Sequence, residues 1–171
     1  MPDAVDRVLD QWAQERPDVD VSPMAVIGRI SRSAAILDRH IAATLNQHDL
    51  LPGEFDLLAA LRRAGAPHRM TVGDVLASTM VSSGAITNRL NRLVDKGFVT
   101  RETDPANRRS VIVTLSRQGL SVVNDALVSH VENERDLLAS LDRDEQQHLS
   151  DLLRKLLLAL GDDASAAGER L

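Results

Sequence analysis

Between residues 82 and 98 the chain reads SSGAITNRLNRLVDKGF. Two arginines, two asparagines and a threonine are interleaved with isoleucine and leucines over about three helical turns. On a helical wheel of roughly 100° per residue, Ile86, Leu90 and Leu93 share one apolar stripe. Gly84, Asn88, Asn91 and Arg92 fall on the opposite side, with Thr87 on a flank. Asparagine, arginine and threonine side chains can match base edges and phosphates in a major groove. Ser82 and Ser83 stand where a helix N-terminus attracts phosphate, and Gly84 permits close backbone approach. Taken alone, this helix also fits an ordinary amphipathic element with a polar outer face. A second polar cluster follows in FVTRETDPANRRSVIVTL, residues 98–115, where Arg108 and Arg109 lie between two β-prone runs. A basic hairpin tip of this kind can enter a minor groove or contact phosphates.

Other chemistries find little support. The chain has no cysteine, which excludes disulfides and thiolate metal sites. Its five histidines show no i, i+4 pair and no carboxylate cluster at metal-ligand spacing, so no metal is expected. There is no nucleophile–base pair, phosphate loop or cofactor fingerprint, so neither an enzyme nor a cofactor is expected. Two phenylalanines and no tyrosine argue against single-strand binding by stacking.

The charge distribution favours a polyanion partner although the formal net charge is -5. Residues 62–117 carry ten Lys/Arg and four Asp/Glu, a net of +6, which leaves -11 on the remainder. Basic blocks in acidic molecules can mark a nucleic-acid face, although charge clusters are often only solvated surface.

Around these residues the pattern predicts a mainly α fold with a small β-hairpin. Residues 1–20 read as an extra N-terminal helix and linker, with Val5, Val8, Leu9 and Trp12 at helical spacing and Pro17 closing the segment. Residues 21–50 read as a long helix with a stripe from Val26 to Leu45. Residues 51–115 hold a helix opened by Pro52, a short helix capped by Thr71, the polar-faced helix capped by Ser82 and ended by Gly97, and two strands. Residues 116–160 form two helices, with Asp142 and Glu145 making a capping-box-like restart. Residues 161–171 are expected to be a disordered tail. No apolar run reaches the roughly 18–20 residues needed to span a bilayer. The acidic start MPDAVDRVLDQW does not resemble a signal peptide, so the expected location is the cytoplasm.

The order of short helix, turn, polar-faced helix and basic hairpin is that of a winged helix-turn-helix. Over about residues 25–160 the chain resembles the MarR (multiple antibiotic resistance regulator) family. The wing carries the most specific match. The family pattern is Asp-x-Arg, three residues, then Val/Leu-x-Leu-Thr, and NRRSVIVTLS supplies Asn107, Arg109, Val113, Leu115 and Ser116. Asn107 replaces the family Asp and offers only a neutral hydrogen bond in wing preorganisation, where Asp104 is a possible substitute.

The resemblance implies a homodimeric regulator, usually a repressor, bound to a near-palindromic double-stranded operator and built with N- and C-terminal dimerisation helices. The leucines of LSDLLRKLLLALG cover more of the last helix than a monomer's surface helix requires, although a helix central to its own fold would look the same. Arg89 lies near the buried stripe and needs a partner, either a structural salt bridge or an anion pocket. A urate-responsive subgroup has Trp, Asp, Arg and Arg in contexts matched here by Trp12, Asp56, Arg89 and Arg101. That implies a small organic anion effector, urate or another purine. Two guanidinium groups can pair with an anion, and an indole can cover a planar ring. A lone tryptophan at helical spacing is nonetheless usually core. The alternative is a constitutive architectural DNA-binding protein without an effector.

Overall fold

The computed structural model describes residues 1–78 and 83–162, so Ser82 with its expected cap, residues 79–81 and the expected disordered tail 163–171 lie outside the described residues. The chain divides into two compact units, Met1–Ile41 and the remainder from Ala42.

In the first unit, α1 (Ala4–Glu15) is opened by Asp3, whose carboxylate accepts from the N–H groups of Val5 at 2.7 Å and Asp6 at 3.0 Å. Asp6 reciprocates by accepting from the Asp3 N–H at 2.8 Å, which completes a two-way cap. Val5 is buried beside Gly28 of α2 (Pro23–Asn46), where an added Cβ would lie 3.2 Å from Val5 Cγ1. Arg29 bridges Asp3 at 2.8 Å and Asp6 at 2.6 Å across the two helices. These pairs are exposed to solvent and screened, so they add little beside the apolar contact at Val5. Trp12 is not a core residue, being 43% exposed. Helix α2 starts in this unit and ends in the next.

The second unit contains α3 (Pro52–Arg63), β1 (Arg69–Thr71), α4 (Val72–Ser78), α5 (Ser83–Asp95), β2 (Val99–Thr103), β3 (Val111–Leu115), α6 (Arg117–Leu137) and α7 (Arg143–Ala159). The strands form an antiparallel sheet in the order β1-β3-β2, with Arg69 opposite Thr114 and Val99 opposite Leu115. β1 is absent from the sequence expectation because three residues carry no readable alternation. The strand exists because β3 offers it a free edge. Leu57, Leu58 and Leu61 of α3, Val75 of α4, Val113 of β3 and Val123 of α6 are buried, as is the predicted stripe Ile86, Leu90 and Leu93, which packs toward α3 and β2.

The local stop and start signals act as expected. Gly97 adopts φ 72° after α5, while the Phe98 N–H returns to the Leu93 carbonyl at 2.9 Å. Thr71 accepts from the Asp74 N–H at 3.1 Å and so caps α4. Asp142 and Glu145 make both bonds of the α7 capping box at 2.9 Å. The mainly α chain with its small sheet is the predicted fold class.

Gly119 occupies the tightest junction. A Cβ there would overlap the Phe98 carbonyl oxygen and lie 2.8 Å from its carbon, and that carbonyl already accepts the Ser116 N–H. Gly→Ala inside a helix ordinarily stabilises by about 1 kcal/mol. Here backbone blocks the methyl, so Gly119→Ala is expected to destabilise by about 1–3 kcal/mol. Urea denaturation checks the sign, and a stabilised variant would show that the junction yields.

Helix α7 buries none of its side chains within the chain. Leu149, Leu152, Leu153, Leu157 and Leu158 are all exposed. A groove of about 440 Å³ runs along it, lined in part by Leu138, Leu149, Leu153 and Leu157.

Candidate nucleic-acid interface

Helix α5 is held by its apolar stripe, which turns Thr87, Asn88 and Asn91 outward, and all three are exposed. Ser83 and Gly84 belong to its first turn. The outward face predicted at Thr87, Asn88 and Asn91 is therefore present.

Arg92 departs from the simple outward reading. Its Nε donates to Glu54 Oε1 at 2.6 Å, although the side chain remains 47% exposed. It sits at the border of the outer face because Glu54, from the first turn of α3, approaches that flank of α5. Glu54 is fully buried, and its other oxygen accepts from Lys96 Nζ at 3.0 Å and the Leu51 N–H at 3.1 Å. Burial pushes this carboxyl upward most strongly. The bonds from Arg92, Leu51 and Lys96 together outweigh it and hold Glu54 below the usual carboxylate range. Glu54 and Lys96 escaped the sequence reading. A glutamate two residues after Pro52 signals a helix start, but its burial under α5 depends on chain segments about forty residues apart.

The loop between β2 and β3 presents Arg108 and Arg109, both exposed. Asn107 Oδ1 accepts from the Arg109 N–H at 3.2 Å, and Asp104 Oδ1 accepts from the Ala106 N–H at 2.9 Å. A Ser110 N–H bond to the Asn107 carbonyl at 2.8 Å closes the tip. Side-chain-to-backbone turns thus organise the loop, and Asn107 does this without charge.

The four residues singled out for an anion do not all converge. Asp56 and Arg89 are neighbours: Arg89 attracts the Asp56 carboxyl, as do Arg63 and His130. Asp56 is exposed, yet the protein around it removes enough water to push its carboxyl above the usual value despite those cations. Arg89 lies against Gly53, where an added Cβ would sit 2.5 Å from Nη1 and 2.7 Å from Nε. Its Nη1 is buried without a hydrogen-bond partner among the described residues, as is Nδ1 of His130, whose ring packs 5.1 Å from Phe55.

Arg101 is not brought to this pair. Its Nη1 donates to Asn91 Oδ1 at 2.8 Å. Asn91 is roughly 200° around α5 from Arg89, so the helix axis separates the two arginines. Arg101 instead braces the outer face from β2. Trp12 belongs to the first unit. Among the described residues no group of His, Cys, Asp and Glu is placed to hold a metal ion, and no helix is long and apolar enough to cross a membrane.

Comparison with known proteins gives concordant matches. The model described as MarR family matches residues 48–110. The chain is 38% identical over 152 residues to the HTH-type transcriptional regulator PecS of Dickeya dadantii, covering 89% of this chain and 92% of that protein. It is 32% identical over 122 residues to the multiple antibiotic resistance protein MarR of Escherichia coli, covering 70% and 82% respectively. A crystal structure of mutant MarR from Escherichia coli complexed with operator DNA superposes with a TM-score of 0.70 at 27% identity, covering 81% of this chain and 96% of that one.

Proposed function

Because the chain belongs to the MarR family of winged helix-turn-helix transcription regulators, we propose that it is a repressor that binds a near-palindromic operator as a homodimer and leaves it when a small planar anion binds. The observations that carry the DNA reading are the exposed face of Thr87, Asn88 and Asn91, tied to β2 by Arg101, and the exposed arginines of the loop that follows β2. In this reading α5 enters the major groove and reads bases, while Arg108 and Arg109 reach phosphates or the minor groove.

The dimer reading is supported by the uncovered leucines of α7, since a single chain of this size gains nothing from exposing so much apolar surface. Two-fold symmetry then sets two copies of α5 about 34 Å apart, one turn of DNA. The test is selection of duplexes from a random-sequence pool, followed by footprinting. A protected site with inverted half-sites one turn apart is expected. A pool that yields no enriched sequence would sink the reading. On the selected duplex, Asn88→Ala is expected to reduce discrimination at one base pair per half-site by about 1–3 kcal/mol. Competition among single-base variants measures it.

The effector reading rests on Asp56 and Arg89. Arg89 offers a buried, unpartnered donor on the DNA-reading helix itself. Asp56 beside it can accept a ring N–H, so urate or a related purine anion is the first ligand class to test.

A further inference from the structure

Glu54 spends a buried carboxylate where a helix cap would not require one. A glutamate three residues after Leu51 can bond the Leu51 N–H from the surface. Here it is fully buried, at a desolvation cost of several kcal/mol unless paired. Its two cationic partners are not equivalent. Lys96 is 24% exposed and spends its ammonium inward, on Glu54 Oε2 at 3.0 Å, the Asp49 carbonyl at 2.5 Å and Asp49 Oδ1 at 3.4 Å. Lys96 is thus shared between Glu54 and Asp49, whereas Arg92 meets Glu54 alone and keeps a half-exposed guanidinium at the edge of α5.

Arg92 also uses only one of its donors. Nε is committed to Glu54 Oε1, and the terminal amino groups have no partner among the described residues. A guanidinium is planar, so fixing Nε fixes the plane and direction of the remaining fork. Two terminal amino groups held side by side match two oxygens of a phosphate.

We propose that Glu54 is a positioning residue for DNA recognition, which holds Arg92 by Nε so that its terminal amino groups form a ready clamp for a backbone phosphate. The inference rests on the reading of α5 as the DNA-reading helix. A free arginine loses side-chain entropy when it meets DNA, whereas a side chain already fixed loses less. Arg92 therefore keeps its contact with Glu54 in the complex, and the two residues act as one unit.

The experiment is a double-substitution cycle in the full chain on the selected operator, read as affinity against salt. Arg92→Ala is expected to lower the salt slope by about one unit per protomer. Glu54→Gln is expected to weaken operator binding, and in the Arg92→Ala background to have no further effect. Thermal unfolding run in parallel separates a purely structural role, which moves the melting temperature and leaves binding by the folded protein unchanged. Equal effects of Glu54→Gln with and without Arg92 overturn the proposal.

A measurement on the wild type needs no variant to fold. The Arg92 Nε–H resonance is expected to be protected from exchange in the free protein and to stay so on operator, while the terminal amino signals shift. Loss of Nε–H protection on DNA overturns it. If the wild type enriches no duplex, the DNA reading falls and takes this inference with it. A footprint that is indifferent to Glu54 removes only the inference.

Discussion

Operator binding by the double variant Arg108→Ala, Arg109→Ala is expected to lose most of its dependence on the wing, with the largest deficit at low salt. If each arginine neutralises one phosphate, a dimer loses four contacts and the salt slope falls by about 3.6 units. Between 50 and 200 mM salt, the ratio of wild-type to variant affinity then changes roughly 150-fold. Discrimination between operator and a scrambled duplex should change little, because phosphate contacts carry no sequence information directly. The two exposed arginines lie on a tip closed by Asn107 and Asp104, so removing their side chains leaves those turn bonds in place. Fluorescence anisotropy titrations at several salt concentrations provide the check. An unchanged slope would remove the wing from the interface.

Urate or a related purine anion is expected to lower operator affinity about 5–150-fold, equivalent to a coupling of about 1–3 kcal/mol. Reciprocity then requires operator to weaken anion binding by the same factor. Arg89 is the proposed link between the two sites, because its Nη1 is a buried donor without a hydrogen-bond partner among the described residues and its backbone belongs to α5. An anion that pairs with this guanidinium draws on a side chain rooted in α5, the helix proposed to read DNA. Arg89→Ala should abolish the response. Gly53→Ala is the sharper variant. It keeps every charge, yet its methyl would occupy the seat of the Arg89 guanidinium and push it aside. Its response should therefore weaken although no pocket charge is lost. Calorimetry with and without operator measures both quantities. Trp12, the single tryptophan of the chain, gives an independent fluorescence signal. A normal response in Arg89→Ala would place the effector elsewhere, and no response in wild type would favour a regulator without this effector class. Neither result touches the wing or the face of α5.

Most of the fold was legible in the sequence because its signals are local. The stripe Ile86–Leu90–Leu93, the stop at Gly97 and the restart at Asp142 and Glu145 each depend on residues within about two helical turns. The outward face of Thr87, Asn88 and Asn91 follows from the same periodicity, since burying one side of a helix exposes the other. The exposed basic loop was equally readable, because a polar run between two strands has no core to enter. Tertiary structure alone decided the pairing of charges. Arg89 and Arg92 are three residues apart on one helix. One rests against Gly53 with a donor that has no partner among the described residues, and the other is clamped to buried Glu54. Arg101, matched to the anion set by its context, instead meets Asn91 on the far side of α5. Long charged side chains reach whatever the packed elements place beside them, and periodicity holds no record of which segment that is. β1 shows the same dependence, because its three residues become a strand only where β3 presents an unpaired edge.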